Sequence, residues 1–280
     1  MRIKIGDGKL FFDVDGAKLV PDGLKMRERP TVVLLHGGPG MDHSVFKPDL
    51  DRLAEIAQLV YLDLRSAGRS DRTSADLWTL DRWADDVLEF CEALEIEKPI
   101  VMGVSFGGMV AMAYASRHPD HPGKLILCST YARARVDRMC RVFERLSGKE
   151  ASDACRNFWE TPGPQTAMQY MKVCTPHYAR RPWGPEFGSR IIGNPQLQLA
   201  VSRDLLPKFD LIPVLSRIKC PTLVMGGEDD PVTTIEDAED IAAAIPEQFV
   251  RFERFPNAGH TIVPDAPERF LRVVREFISA

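Results

Sequence analysis

Pro99-Ile100-Val101-Met102-Gly103-Val104-Ser105-Phe106-Gly107-Gly108 decides the fold. The run up to Val104 is apolar and β-branched, as a buried strand requires. Beyond it Met109, Val110, Met112, Ala113 and Tyr114 recur at helical spacing until His118-Pro119 stops the helix. Gly103-x-Ser105-x-Gly107 thus stands between a strand and a helix, the context in which a serine is lifted out of a tight turn as a nucleophile. A turn this sharp strains the backbone at the serine, and glycines on either side avoid the clashes a Cβ would cause.

Working outward, five further runs have strand character: Thr31 to Leu35, Leu59 to Leu64, Lys124 to Cys128, Pro221 to Met225 and Val250 to Phe255. Helical patterns alternate with them. Leu80, Trp83, Val87, Leu88, Phe90, Cys91 and Leu94 form one apolar face, and Phe270, Val273, Val274 and Phe277 form another in the closing helix. The alternation predicts an α/β fold with a mostly parallel central sheet flanked by helices, and Lys9 to Val14 adds an antiparallel edge. From about Tyr131 to Lys208 the rhythm changes to helical pieces broken by Pro and Gly. We expect a core of residues 1–130 and 209–280 with an inserted helical cap, 131–208, over the active site.

With 280 residues, 44% of them hydrophobic, and a formal charge of -4, the chain can bury a large core and has no basic stripe for nucleic acid. No apolar stretch approaches the roughly 20 residues of a membrane span, and the N-terminus lacks the continuous apolar run of a signal peptide. The six cysteines are scattered singly, so they read as buried small side chains rather than metal ligands or disulfides. These features point to a cytoplasmic protein without metal or cofactor. A homo-oligomer is compatible with the sequence, although no heptad repeat calls for one.

A serine hydroxyl needs a base held within hydrogen-bonding reach. Of six histidines, His260 follows the last strand by the short loop Asn257-Ala258-Gly259, which reaches the carboxyl edge of the sheet. His36, His118 and His121 read as structural. An acid between serine and histidine in chain order comes from Gly226-Gly227-Glu228-Asp229-Asp230-Pro231, where spacing alone does not separate Asp229 from Asp230. For an oxyanion hole the Phe106 N–H, directly after the serine, is one donor, and Gly38 in His36-Gly37-Gly38-Pro39-Gly40 is the second.

His36 to Gly40, Asp63-Leu64-Arg65-Ser66-Ala67-Gly68-Arg69-Ser70 and the serine turn together make the chain resemble the prolyl iminopeptidase branch of the α/β-hydrolase superfamily. The resemblance covers nearly the whole core. It implies a cofactor-free hydrolase with Ser105, Asp230 and His260 as catalytic triad, Asp230 being favoured because the family's acid precedes a Pro-Val step. The chain departs from prolyl iminopeptidases at Leu64 and Ser66, where they carry Gln and Gly, and at Phe106, where they carry Trp. Of the cap acids Glu160, Glu186 and Asp204, none stands in a motif for a substrate ammonium.

Residues 131–205 carry twelve basic and seven acidic side chains, a net +5 against -9 for the remainder. Such a lid suits a neutral or anionic acyl substrate better than a cation, although a solvated helix face is the commoner origin of such a sum, since surface charge alone seldom specifies a ligand. The expected activity is hydrolysis of a small carboxylic ester or lactone, with Phe158, Trp159, Tyr170, Tyr178 and Trp183 of the cap lining an apolar acyl pocket. Release of N-terminal proline, or amide hydrolysis of a small metabolite, is the alternative. A non-catalytic ligand-binding receptor is the remote one.

Overall fold

A computed structural model describes residues 1–181, 184 and 186–280. The strands are β1 (Arg2–Ile5), β2 (Gly8–Asp15), β3 (Leu19–Asp22), β4 (Lys25–Glu28), β5 (Thr31–Leu35), β6 (Gln58–Leu62), β7 (Ile100–Val104), β8 (Lys124–Cys128), β9 (Thr222–Gly227) and β10 (Val250–Phe255). All but β3 and β4 form one eight-stranded sheet in the order β1-β2-β6-β5-β7-β8-β9-β10. Strands β6 to β10 run parallel to one another, and β1 and β2 add an antiparallel margin. Serine-bearing β7 therefore lies near the middle of the sheet, where both neighbours hold it in register.

The six expected strands fall where the sequence places them, within two residues at each end. The segment Lys9 to Val14 is indeed antiparallel, but it is second from the margin because Arg2–Ile5 pairs outside it. The β3–β4 hairpin was not foreseen. It pairs Leu19 with Glu28 and Asp22 with Lys25, lies outside the main sheet and is largely exposed, so no apolar alternation marks it.

The sheet divides the interior in two. On one face Val33 and Leu35, Val60 and Leu62, Val101, Leu125 and Leu127, and Val224 pack with helices α1 (Leu80–Ala93) and α2 (Phe106–Arg117). The alternate residues Val32 and Leu34, Leu59 and Tyr61, Met102, Ile126 and Met225 face the closing helix, whose Phe270, Val273, Val274 and Phe277 are all buried as the period predicts. A strand's period of two produces this division, and helices on both faces explain why the strands read as continuous apolar runs.

Between β8 and β9 the described residues contain five helices, α3 (Val136–Ser147), α4 (Lys149–Glu160), α5 (Pro164–Val173), α6 (Glu186–Arg190) and α7 (Pro195–Asp204), and no strand. After β9 come α8 (Ile235–Ala244), α9 (Ile262–Asp265) and the closing helix α10 (Pro267–Ser279). No helix among the described residues is long and apolar enough to cross a membrane. All six cysteines are free and buried.

The motif from Asp63 to Ser70 is a brace. Arg65 is buried beneath α1 and grips Asp86 with two hydrogen bonds, of 2.7 and 2.6 Å, while its backbone oxygen accepts from the Trp83 indole N–H. Trp83 in turn meets the Phe106 ring edge-on at 5.1 Å, so the brace ends against the residue after the serine. Arg65 and Asp86 are each 1% exposed, and removing one partner of such a pair leaves a buried charge. Asp86→Ala is expected to lower the unfolding free energy by about 3–5 kcal/mol, measured by urea denaturation; a loss below about 1 kcal/mol would show that Asp7, which also reaches Arg65, suffices.

Candidate functional site

The turn after β7 is built from contacts only glycine allows. Ser105 has φ 54° and ψ −120°, a conformation held because its N–H donates to the Cys128 carbonyl at 3.0 Å and its carbonyl accepts from Thr130 Oγ1 at 2.7 Å. A Cβ on Gly107 would lie 2.0 Å from the Leu35 carbonyl oxygen, and one on Gly103 would lie 2.3 Å from that of Gly107. Helix α2 therefore starts hard against β5, with Ser105 projecting at the carboxyl edge of the sheet.

Ser105 Oγ lies 3.1 Å from His260 Nε2, and His260 Nδ1 lies 2.9 Å from Asp230 Oδ2. Asp230 is wholly buried, and its carboxylate also accepts from the Val232 and Thr233 N–H groups at 2.8 and 2.9 Å and from Thr233 Oγ1 at 2.6 Å. An ionised carboxylate only accepts, so it holds a proton on His260 Nδ1 and leaves Nε2 free to take the serine proton. Asp229, its neighbour in sequence, turns the other way. It meets Arg145 at 2.8 Å and Arg180 at 3.1 Å, both from the helical insert.

The glycine-rich loop after β5 faces the serine, for a Cβ on Gly37 would come within 3.2 Å of Ser105 Cβ. Burial holds the His36 imidazole below its usual pKa. Neutral, it donates from Nδ1 to the Gly37 carbonyl at 2.8 Å and accepts the Leu64 N–H on Nε2 at 3.1 Å. The carbonyl and N–H of one trans peptide point in opposite directions, so His36 fixes the Gly38 N–H facing away from its ring. The Phe106 N–H, at the first position of α2, is one of the helix-start donors without an intrahelical acceptor.

His43 and Asp63 anchor the far end of this loop. Asp63 Oδ1 accepts from the His43 ring at 2.7 Å and from its backbone N–H at 2.9 Å, and Arg69 reaches Asp42 at 2.8 Å. Burial would raise the Asp63 pKa, but the His43 hydrogen bond and the Arg69 and His43 backbone donors outweigh it and hold the carboxyl below its ordinary range. Asp42, His43 and Asp63 place donor atoms within 4.8 Å of one another, but each carboxylate already serves a fastening of the loop.

Ser105 and His260 open on a cavity of about 1140 Å³. Phe158, Trp159, Tyr170 and Tyr178 line it as expected, and Tyr178 meets His260 edge-on at 5.3 Å. Trp183 lies outside the described residues. Of the three acids considered for a substrate cation, Glu186 lines the cavity, whereas Glu160 pairs with Arg156 and Asp204 with Arg203. Asp49, Met41, Met168 and Met171 also line it and were not singled out from the sequence.

Four of the twelve basic side chains of residues 131–205 pair with acids between Asp229 and Asp240. Arg138 binds Asp237 and Asp240, Arg141 binds Glu236, and Arg145 and Arg180 bind Asp229. These arginines clamp the insert to the acids around α8 instead of facing a ligand. Asp265 adds a stitch, accepting from the Gly259 N–H at 2.8 Å and from the Arg180 and Arg181 N–H groups at 3.0 Å, while the His260 N–H donates to the Tyr178 carbonyl at 2.6 Å. The histidine loop and the insert are thus one fastened unit, joined by residues too far apart in sequence for spacing to reveal.

Residues 30–267 match the α/β-hydrolase fold family, and the chain belongs to that family. It is a hydrolase by that family, and proteins named proline iminopeptidase are among those it is similar to. Over 273 residues it is 27% identical to a putative carbamate hydrolase, RutD, of Caulobacter sp. (strain K31), covering 95% of this chain and 97% of that protein. It is 25% identical to the proline iminopeptidase of Lactobacillus crispatus (strain ST1), covering 90% of each. The crystal structure of proline iminopeptidase from Mycobacterium smegmatis superposes with a TM-score of 0.80 at 24% identity, over 100% of this chain and 97% of that one.

Asp229→Asn removes the charge that holds Arg145 and Arg180. We expect limited trypsinolysis within residues 131–208 to accelerate several-fold while the global unfolding midpoint moves little; an unchanged cleavage rate would mean that the contacts of Arg138 and Arg141 suffice to hold the insert.

Proposed function

We propose that the protein hydrolyses a small carboxylic ester or lactone through an acyl-serine intermediate, with residues 131–208 acting as a cap over the site. The observation that carries this reading is the hydrogen-bonded line from Asp230 through His260 to Ser105, ending in a largely apolar cavity. Ser105 Oγ attacks the ester carbonyl as its proton passes to His260 Nε2. The N–H groups of Gly38 and Phe106 stabilise the oxyanion, and the imidazolium gives its proton to the departing alkoxide. Water then repeats the sequence on the acyl-serine, the same imidazole taking a proton from water and returning it to Ser105. Asp230 stabilises the imidazolium at each stage, and Thr233 with the backbone around it keeps that carboxylate in place.

Release of an N-terminal proline is the second reading, and the sequence relatives favour it. It needs negative charge for the substrate's ammonium. Among the described residues the acids lining the cavity are Asp49 and Glu186, both exposed and accompanied there by Lys47 and Arg190. That mixed rim is a poor match for a lone cation, which is why we favour a neutral acyl substrate. An amidase or carbamate hydrolase would use the same triad, and the name of the Caulobacter relative supports that variant. A non-catalytic receptor would have no use for the buried Asp230 network, and labelling of Ser105 by a fluorophosphonate separates it from all of these.

Initial rates with p-nitrophenyl butyrate and proline naphthylamide, for wild type, Ser105→Ala and Asp230→Asn, test the proposal. Ester turnover is expected to vanish in Ser105→Ala and to fall about 10³–10⁴-fold in Asp230→Asn, with negligible proline release. Efficient serine-dependent release of proline would replace the ester reading by the iminopeptidase one, and full ester turnover in Ser105→Ala would end both.

A further inference from the structure

The cavity is slightly larger than the roughly 300–1,000 Å³ usual for drug-sized ligands, and its two ends differ. One end has a buried wall. Phe46, Leu50, Met102, Cys128 and Ile262 line it, each no more than 5% exposed, and all belong to the core face opposite α2. The other end passes beneath the insert, where Pro164, Ala167, Met168 and Met171 line the cavity from α5. Their spacing of three, one and three residues is a single helical stripe. Met168 and Met171 nevertheless remain 69% and 62% exposed.

Two exposed methionines on the stripe that lines a cavity need a reason. Apart from Met1 and the β3–β4 hairpin, the exposed large apolar side chains among the described residues are Met168, Met171 and Ile192. Methionine is flexible and polarizable, so it covers irregular apolar ligands without one fixed shape. Charge is kept away from the centre of the cavity. Lys47 is tied to Asp13 and Asp15 at 3.1 and 2.7 Å, and Asp49, Glu186 and Arg190 are exposed at the rim. Phe106 and Met109 of one core face and Val104 and Ile262 of the other line the cavity together with the serine, so a bound carbonyl meets apolar side chains of both faces.

We propose that the substrate is a neutral ester or lactone carrying substantial apolar groups on both sides of the scissile carbonyl. One arm packs against the buried wall beside Phe46 and Leu50. The other is longer and leaves beneath α5, where Met168 and Met171 determine specificity. This rests on the ester reading above and extends it from small esters to large ones.

The test compares kcat/KM for ethyl acetate, methyl hexanoate, hexyl acetate and hexyl hexanoate, in wild type and in the double variant Met168→Asp with Met171→Asp. Each buried methylene contributes enough to raise kcat/KM severalfold, so hexyl hexanoate should exceed both singly extended esters by about 10-fold or more. In the double variant the gain from extending one arm should shrink by about 10-fold, and the gain from the other should persist. Equal rates for hexyl hexanoate and the better singly extended ester, or a chain-length profile unaffected by the two aspartates, would overturn the inference. Labelling of Ser105 by methyl and decyl fluorophosphonates separates it from the reading beneath it. If no ester is hydrolysed but the decyl probe reacts at least 10-fold faster, and that advantage is lost in the double variant, the two-armed apolar site stands and the ester reading falls. Equal labelling by the two probes overturns the site itself.

Discussion

The approach of α2 to β5 is the contact on which the site depends. Gly107 sits so close to the Leu35 carbonyl that no other residue fits, and Gly103 and Gly108 are pressed against the Gly107 backbone and the Thr130 side chain. This packing forces Ser105 into its left-handed conformation and aims it out of the sheet. It also fixes the start of α2, and hence the Phe106 N–H, against the end of β5, from which the His36 to Gly40 loop leaves. One steric constraint thereby sets Ser105, the Phe106 N–H and the start of the glycine-rich loop relative to one another, as the proposed chemistry requires.

Polar contacts then fasten the parts that packing leaves loose. The loop after β5 has no regular structure to hold its peptides, so buried side chains take over: His36 turns the Gly37–Gly38 peptide, and Asp63 ties His43 and Arg69 to one carboxylate. The histidine loop is held differently, by Tyr178 and Asp265, which connect it to the insert. His260 and the wall of the cavity that the insert supplies are therefore tied to one another. The glycine-rich loop after β5 and the serine, by contrast, are fixed to the sheet.

Much of this was legible from the sequence because its signals are local. Strand alternation, the helix after Ser105 and the short loop before His260 each occupy a few consecutive residues, so a period or a spacing reveals them. Asp229 and Asp230 mark where that legibility ends. Both follow β9 by the same short turn, and only the direction of each side chain separates them: one reaches His260, the other Arg145 and Arg180. Charge sums are uninformative for a related reason. A count of the insert's arginines carries no information about which face they occupy, and Arg138, Arg141 and Arg145 lie along one side of α3 that meets the acids near α8. The β3–β4 hairpin stayed hidden because its residues are largely exposed on both sides, leaving no pattern to read.

The division of labour between the two adjacent aspartates bears on how chemistry and access are linked. Asp230 sits at zero exposure and accepts four hydrogen bonds, three from Val232 and Thr233 and one from His260, none of them from the insert. Asp229 shares its backbone but responds to Arg145 and Arg180, half-exposed side chains at the insert's margin. Exposed ion pairs of this kind contribute little individually and weaken with salt. The clamp is therefore strong only as a set with the Arg138 and Arg141 pairs, and it can yield without disturbing the buried acid one residue away. The acid is thus decoupled from these pairs, whereas His260, whose N–H donates to the Tyr178 carbonyl, stays coupled to the insert.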